Sequence, residues 1–188
     1  MSNRLAAGWA AFHKHKGELC NRYYRTSDRV RLFDAVVSPT VLYGSSAWAL
    51  TQVMEDKLRV TWRKMLRYVF CLHRRSSESC AEDWVDYMQR SAHQVETMAR
   101  KHGLKDWVAA YRRKKFNFAG QVARRTDDRW SKLAIEWLPH GGVGRSRGRP
   151  FTRWSDDLVK YAGGDWQNYT KDVAFWTLAG EAYAVKPK

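Results

Sequence analysis

The chain has 188 residues, including ten tryptophans, nine tyrosines and seven phenylalanines, and a formal net charge of +15 with a pI near 10.0. Such a surplus of cations repels itself unless a polyanion answers it, so RNA or DNA is the expected partner, and an acidic protein or anionic membrane surface is the alternative. No apolar run approaches the roughly eighteen residues of a membrane span. The three cysteines (Cys20, Cys71 and Cys80) leave at least one unpaired, and the N-terminus lacks a signal-like apolar run, which points to a reduced intracellular setting with the nucleus as one destination.

Taken in order, residues 4 to 19 place Leu5, Trp9 and Phe12 on one helical face and Arg4, Lys14 and Lys16 elsewhere. A second helix is predicted from Asp28 as cap through Val30, Phe33, Val36, Val37 and Val41, with Pro39 expected to kink or end it. Tyr43-Gly44 reads as a turn, and Thr51 as the cap of a third helix that aligns Met54, Leu58, Trp62, Met65 and Val69. The other face of that helix carries Lys57, Arg59, Arg63, Lys64 and Arg67.

A polar stretch, Arg74 to Ser79, then reads as a linker. Residues 76–110 are slightly acidic, unlike the basic stretches on either side, and are predicted to form a packing helix from near Glu82 to Lys101, ended by Gly103. Beyond it a long helix is expected to bury Leu104, Trp107, Val108, Tyr111, Phe118 and Val122, with Arg112, Arg113, Lys114 and Lys115 turned largely outward. A shorter helix from Asp127-Asp128 through Trp130, Leu133 and Trp137 should stop at Pro139. The glycine-rich stretch from His140 to Gly148 is expected to be mobile. Pro150 should start a helix that turns Trp154, Leu158 and Tyr161 inward. Asp165 to Tyr183 reads as one last helix with Trp166, Tyr169, Val173, Trp176 and Tyr183 on a single face. The expected class is therefore all-α: a helical unit over 1–75, a connecting helix region over 76–110 and a basic helical unit with a Gly/Arg-rich loop over 111–188.

Between Tyr111 and Arg153 there are twelve Lys or Arg and three acids. The candidate nucleic-acid contacts are Arg112, Arg113, Lys114, Lys115, Arg124, Arg125, Arg145, Arg147, Arg149 and Arg153, with Lys57, Arg63, Lys64 and Arg67 as a second set on the third helix. Arg147 to Pro150 also matches the core of an AT-hook, so minor-groove insertion stands beside plain phosphate contact and a solvated basic loop. Trp130 and Phe151, next to cations, are the aromatics most suited to exposure.

Two segments carry a resemblance. RRKKFNFAGQVARRTDDRW, the glycine-rich loop, RGRPFTRWSDDL and GGDW are similar to the C-terminal end of reverse transcriptases of non-long-terminal-repeat (LINE-type) retrotransposons. SPTVLYGSSAWALT at 38–51, with the basic helix after it, resembles the end of the thumb in the same enzymes. The resemblance implies a thumb-like bundle that grips template and primer, a tail that holds RNA or target DNA, and palm and fingers belonging to the same parent protein. It also implies that the polymerase aspartates belong to a palm upstream of the thumb, and no equivalent precedes Ser38.

The adjacent carboxylates Asp127-Asp128 and Asp156-Asp157 could in principle hold a divalent cation, but both sit where a helix begins and read better as caps. Cys71, His73, Cys80 and His93 have a spacing that fits none of the common zinc frameworks, and the zinc knuckle of some LINE-type proteins is absent. The expectation is a non-enzymatic fragment with no catalytic residue, metal or cofactor.

Overall fold

The computed structural model describes residues 1–75, 81–127, 130–136 and 153–185, and among these every regular element is helical. The all-α expectation holds. No helix among the described residues is long and apolar enough to cross a membrane. Two units emerge: the first from 1–43 and 53–108, the second from 44–52 and 109–188.

In the first unit, α1 (Ser2–Lys14) stops at His15, and α2 (Lys16–Leu19) resumes for a single turn. α3 (Thr26–Leu32) runs into a π-helical segment (Phe33–Val37) and on into α4 (Ser38–Val41), so the chain stays helical through Pro39. The helix does not end at the proline. Proline sits in the first turn of α4, where its missing amide costs least, and the wider π turn precedes it. Gly8 of α1 faces Val41, whose methyl would overlap any Cβ at that position, and this small residue lets α1 and α4 lie close.

α5 (Gln52–Val69) buries Leu58, Trp62, Met65, Leu66 and Val69, the face its spacing predicts except for Met54, which remains partly exposed. Its last carbonyls meet the buried Arg29, whose guanidinium bonds the Val69 carbonyl and lies 3.5 Å from the Cys71 thiol. A cation there complements the negative end of the helix. α6 (Trp84–Lys101) starts two residues after Glu82, because the Asp83 carboxylate accepts from the Val85 amide at 2.8 Å and caps it. Gly103 closes it at φ +68 with the Leu104 amide donating to the Ala99 carbonyl, the expected left-handed cap. Trp107 completes this core, stacked on Phe33 at 5.9 Å and donating its indole N–H to Ser38 Oγ at 2.9 Å.

Glu82 anchors the segment before α6 by accepting from Arg90 at 2.6 and 2.8 Å and from the Arg75 amide at 3.0 Å. These bonds, the Arg90 pair first, hold its carboxyl at about 2, below the ordinary 4.5. A depressed carboxylate stabilises the fold fully above its ordinary range, and the contribution is lost as pH falls through about 2. In a carboxyl NMR titration, Glu82 should therefore still be ionised at pH 4 and should return towards the usual value in Arg90→Ala. An ordinary glutamate titration in the intact chain would show that the pair does not persist in solution.

In the second unit, α7 (Trp107–Ala123, counted here from Ala109) supplies Phe116 and Ala119 to a core with Leu158, Trp166, Trp176 and Tyr183. α8 (Trp130–Glu136) and α9 (Asp156–Ala162) follow, the latter closed by Gly163 at φ +86. The last predicted helix is two: α10 (Trp166–Tyr169) and α11 (Val173–Val185), separated by Thr170 to Asp172. That interruption shifts the helical register. Trp166, Trp176 and Tyr183 are buried, whereas Tyr169 and Val173 are half exposed and do not share their face. Residues 44–52 belong here: Trp48 stacks on Tyr111 at 6.1 Å, and the Ser46 carbonyl accepts the Trp154 indole N–H at 2.8 Å.

Candidate nucleic-acid interface

α5 sorts its cations. Arg59, Arg63 and Arg67, spaced four residues apart, share one face. Arg59 lies 3.7 Å from Asp106, Arg63 pairs with Glu96, and Arg67 reaches Ser91 Oγ at 3.4 Å and Met88 Sδ at 3.2 Å. The slightly acidic 76–110 stretch is thus answered by arginines of the preceding helix. Guanidinium suits this duty because its planar fork meets carboxylate and hydroxyl acceptors directionally.

The lysines lie on the adjoining stripe. Lys57 and Lys64 are exposed and lie on a stripe with Val53, Val60 and Tyr68, all at helical spacing and all exposed. Lys64 Nζ stands 5.6 Å over the Trp9 ring rather than beside a carboxylate. Of the second candidate set, therefore, Lys57 and Lys64 remain available to a partner, while Arg63 and Arg67 are engaged within the unit.

The cluster on α7 is a correction. Four consecutive helical residues sweep roughly 300° of the helix circumference, so they cannot all point outward. Lys115 is 1% exposed, 2.8 Å from Asp157, with Tyr111 and Trp154 rings beside its ammonium. Arg112 is buried too, its guanidinium 5.8 Å from the Tyr183 ring centre. Arg113 forms a two-pronged pair with Glu181 at 2.5 Å, which pushes the guanidinium pKa up. Only Lys114 of the four is exposed. Tyr183 donates to the same Asp157 oxygen at 2.8 Å, and burial first, then that carboxylate, pushes its phenol well up.

The remaining candidates divide similarly. Arg124 donates to the Thr170 carbonyl at 2.9 Å and Arg125 to Ser131 Oγ at 2.9 Å, so both tie the end of α7 to its own unit. Arg153 is half-buried at the start of α9, where its amide donates to Asp156. Arg145, Arg147 and Arg149 lie outside the described residues, as do Arg129, Trp137, Pro139, Pro150, Phe151, the glycine-rich loop and the 76–79 part of the linker. Trp130 is 84% exposed, matching the expectation for it.

One surface was missed from sequence. Arg22, Tyr23, Tyr24 and Arg25 form an exposed turn between α2 and α3, organised by Asn21, whose side chain accepts from the Tyr23 amide at 2.9 Å. Tyr23 is almost wholly exposed. The signal was present as an Asn-started turn interleaving arginines with aromatics, but no helical period draws attention to it.

The Asp156-Asp157 pair does local work. Asp156 accepts from the Arg153 amide and Asp157 from the Leu158 amide, each at 2.9 Å, and Asp157 also holds Lys115. Of the cysteines, Cys71 (φ +55) donates towards the Cys20 carbonyl, and Cys20 has its thiol pKa raised, first by burial and then by Cys71. Cys80 and Asp128 lie outside the described residues, and among the described ones no group of three or more His, Cys, Asp or Glu could hold a metal.

No family model matches the chain, and no solved structure matches it. It is 29% identical, over 182 residues, to an uncharacterized transposon-derived protein of Caenorhabditis elegans. That likeness points to a transposon origin. The alignment takes in 92% of this chain and 61% of the relative, so the chain spans about three fifths of that protein's length. The relative's name assigns it no activity.

Proposed function

We propose that the chain is a nucleic-acid-binding segment of a retrotransposon-derived reverse transcriptase, non-catalytic by itself, that grips RNA or DNA through the phosphate backbone. The observation that carries this reading is the division of labour on α5, where arginines are consumed by acids of their own unit while Lys57 and Lys64 stay outward. The transposon-derived relative and the two blocks resembling the thumb and tail of LINE-type enzymes support it. Contacts are assigned to Lys57, Lys64, Lys114 and the Arg22–Arg25 turn, with Arg145, Arg147 and Arg149 as further contacts from the glycine-rich loop. Palm and fingers of a parent protein would supply the chemistry.

If about four phosphates are neutralised, affinity for RNA or DNA should fall on the order of a hundredfold between 50 and 200 mM salt. Fluorescence anisotropy across a salt series reads this directly. Lys57→Ala with Lys64→Ala should lower the slope of log affinity against log salt by about two units. Arg63→Ala, which loses an internal pair, should leave the slope unchanged. Absence of salt-dependent binding to RNA, single strands and duplex alike would overturn the reading, and retention on anionic vesicles in that case would favour a scaffold for an acidic surface. Primer extension by the purified chain would overturn its non-catalytic part.

A further inference from the structure

We infer that the cleft formed by α1, α2 and α5 in the first unit is a stacking subsite for one unpaired base of a single-stranded nucleic acid. The inference rests on the phosphate-binding reading above and adds a preference for exposed bases. The cleft has a volume of about 270 Å³ and is lined by Trp9, Phe12, His13, Lys16, Lys64 and Tyr68. That is below the usual range of pockets for drug-sized ligands and suits one planar ring system.

Its walls are aromatic. Trp9 and Tyr68 stand nearly perpendicular, at 78° with centroids 6.4 Å apart, and His13 lies roughly parallel to Trp9 at 5.7 Å. Phe12, 1% exposed, is the member that belongs to the core. His13 is exposed and Tyr68 is 44% exposed. An aromatic corner of this kind offers one ring face to stack upon and a second ring edge to bound the base.

Its rim is cationic. Lys16 and Lys64 are both exposed, and neither forms an ion pair among the described residues. Among the described residues Lys64 stands over the distant Trp9 face, a contact weak enough at an exposed site to be exchanged for a phosphate. Aromatic walls with lysines at the mouth match a nucleotide, whose ring is apolar on its faces and whose flanking phosphates are anionic. A base within a duplex has both faces covered by its neighbours, so the subsite selects an unpaired one.

The test compares the full chain's affinity for a short single-stranded oligothymidylate and for an abasic strand with the same phosphates, at one salt concentration. The abasic strand should bind about tenfold to a hundredfold more weakly. Tyr68→Ala and Trp9→Leu, checked for retained helicity, should close that gap by weakening only the base-bearing strand, whereas Lys16→Ala with Lys64→Ala should weaken both strands alike. Tyr68 is exposed enough that its replacement keeps the test decisive even if Trp9→Leu fails to fold. Equal affinity for the two strands would overturn the subsite and leave phosphate binding standing. A gap that survives Tyr68→Ala would overturn this location, and binding of neither strand would remove both readings.

Discussion

Asp157→Ala should destabilise the second unit by about 3 kcal/mol in urea unfolding, because it removes the carboxylate that answers a buried ammonium. Lys115 is 1% exposed and Asp157 31%, so water reaches the acid but not the base. The asymmetry sets the direction of the comparison. Lys115→Met removes the buried charge itself and leaves Asp157 with the Tyr183 hydroxyl and solvent, so its cost should be well under half as large. Equal losses from the two variants, or none from either, would show that the pair is not the electrostatic centre of this unit.

Trp176→Ala should cost about 4 kcal/mol, the range for emptying a buried aromatic site. The indole is 2% exposed, stacks on Phe116 at 3.9 Å and donates to the Phe116 carbonyl at 2.9 Å. Its seat depends on Gly120, where any Cβ would overlap the indole edge. Gly120→Ala should therefore lose about 1–3 kcal/mol through the same contact, despite alanine's better helix propensity. Thermal unfolding followed by near-ultraviolet circular dichroism reads both. A gain in stability for Gly120→Ala would mean that Trp176 relaxes out of the way.

Much of the helical plan was legible in the sequence, because apolar spacing reports a buried stripe wherever a helix runs unbroken. Leu58, Trp62, Met65 and Val69 show it, as does the glycine that ends α6. The π turn ahead of Pro39 was not legible, because local rules weigh only the missing amide. The break at Thr170 to Asp172 was hidden for a related reason, since aromatics on both sides continue to look periodic.

The interface was less legible than the fold. Lys115 looks like its neighbours in sequence, and the carboxylate that draws it inward lies 42 residues away. Glu181, which takes up Arg113, is 68 residues distant. Clustering of positive charge along the chain reports where cations are made, whereas availability depends on acids brought in by tertiary packing. On α5 the same effect separates arginine from lysine at a spacing no linear window can distinguish.

The sharing of segments 44–52 and 109–188 by one unit limits how the chain can be shortened. Any single cut between 53 and 108 parts Trp48 and Ser46 from Tyr111 and Trp154, stranding an indole and two carbonyls on the wrong fragment. No stretch shorter than 44–188 carries the second unit whole. The dependence runs one way: the first unit lies whole within 1–108 and survives a truncation there, whereas any stretch that carries the second unit also carries 53–108 of the first.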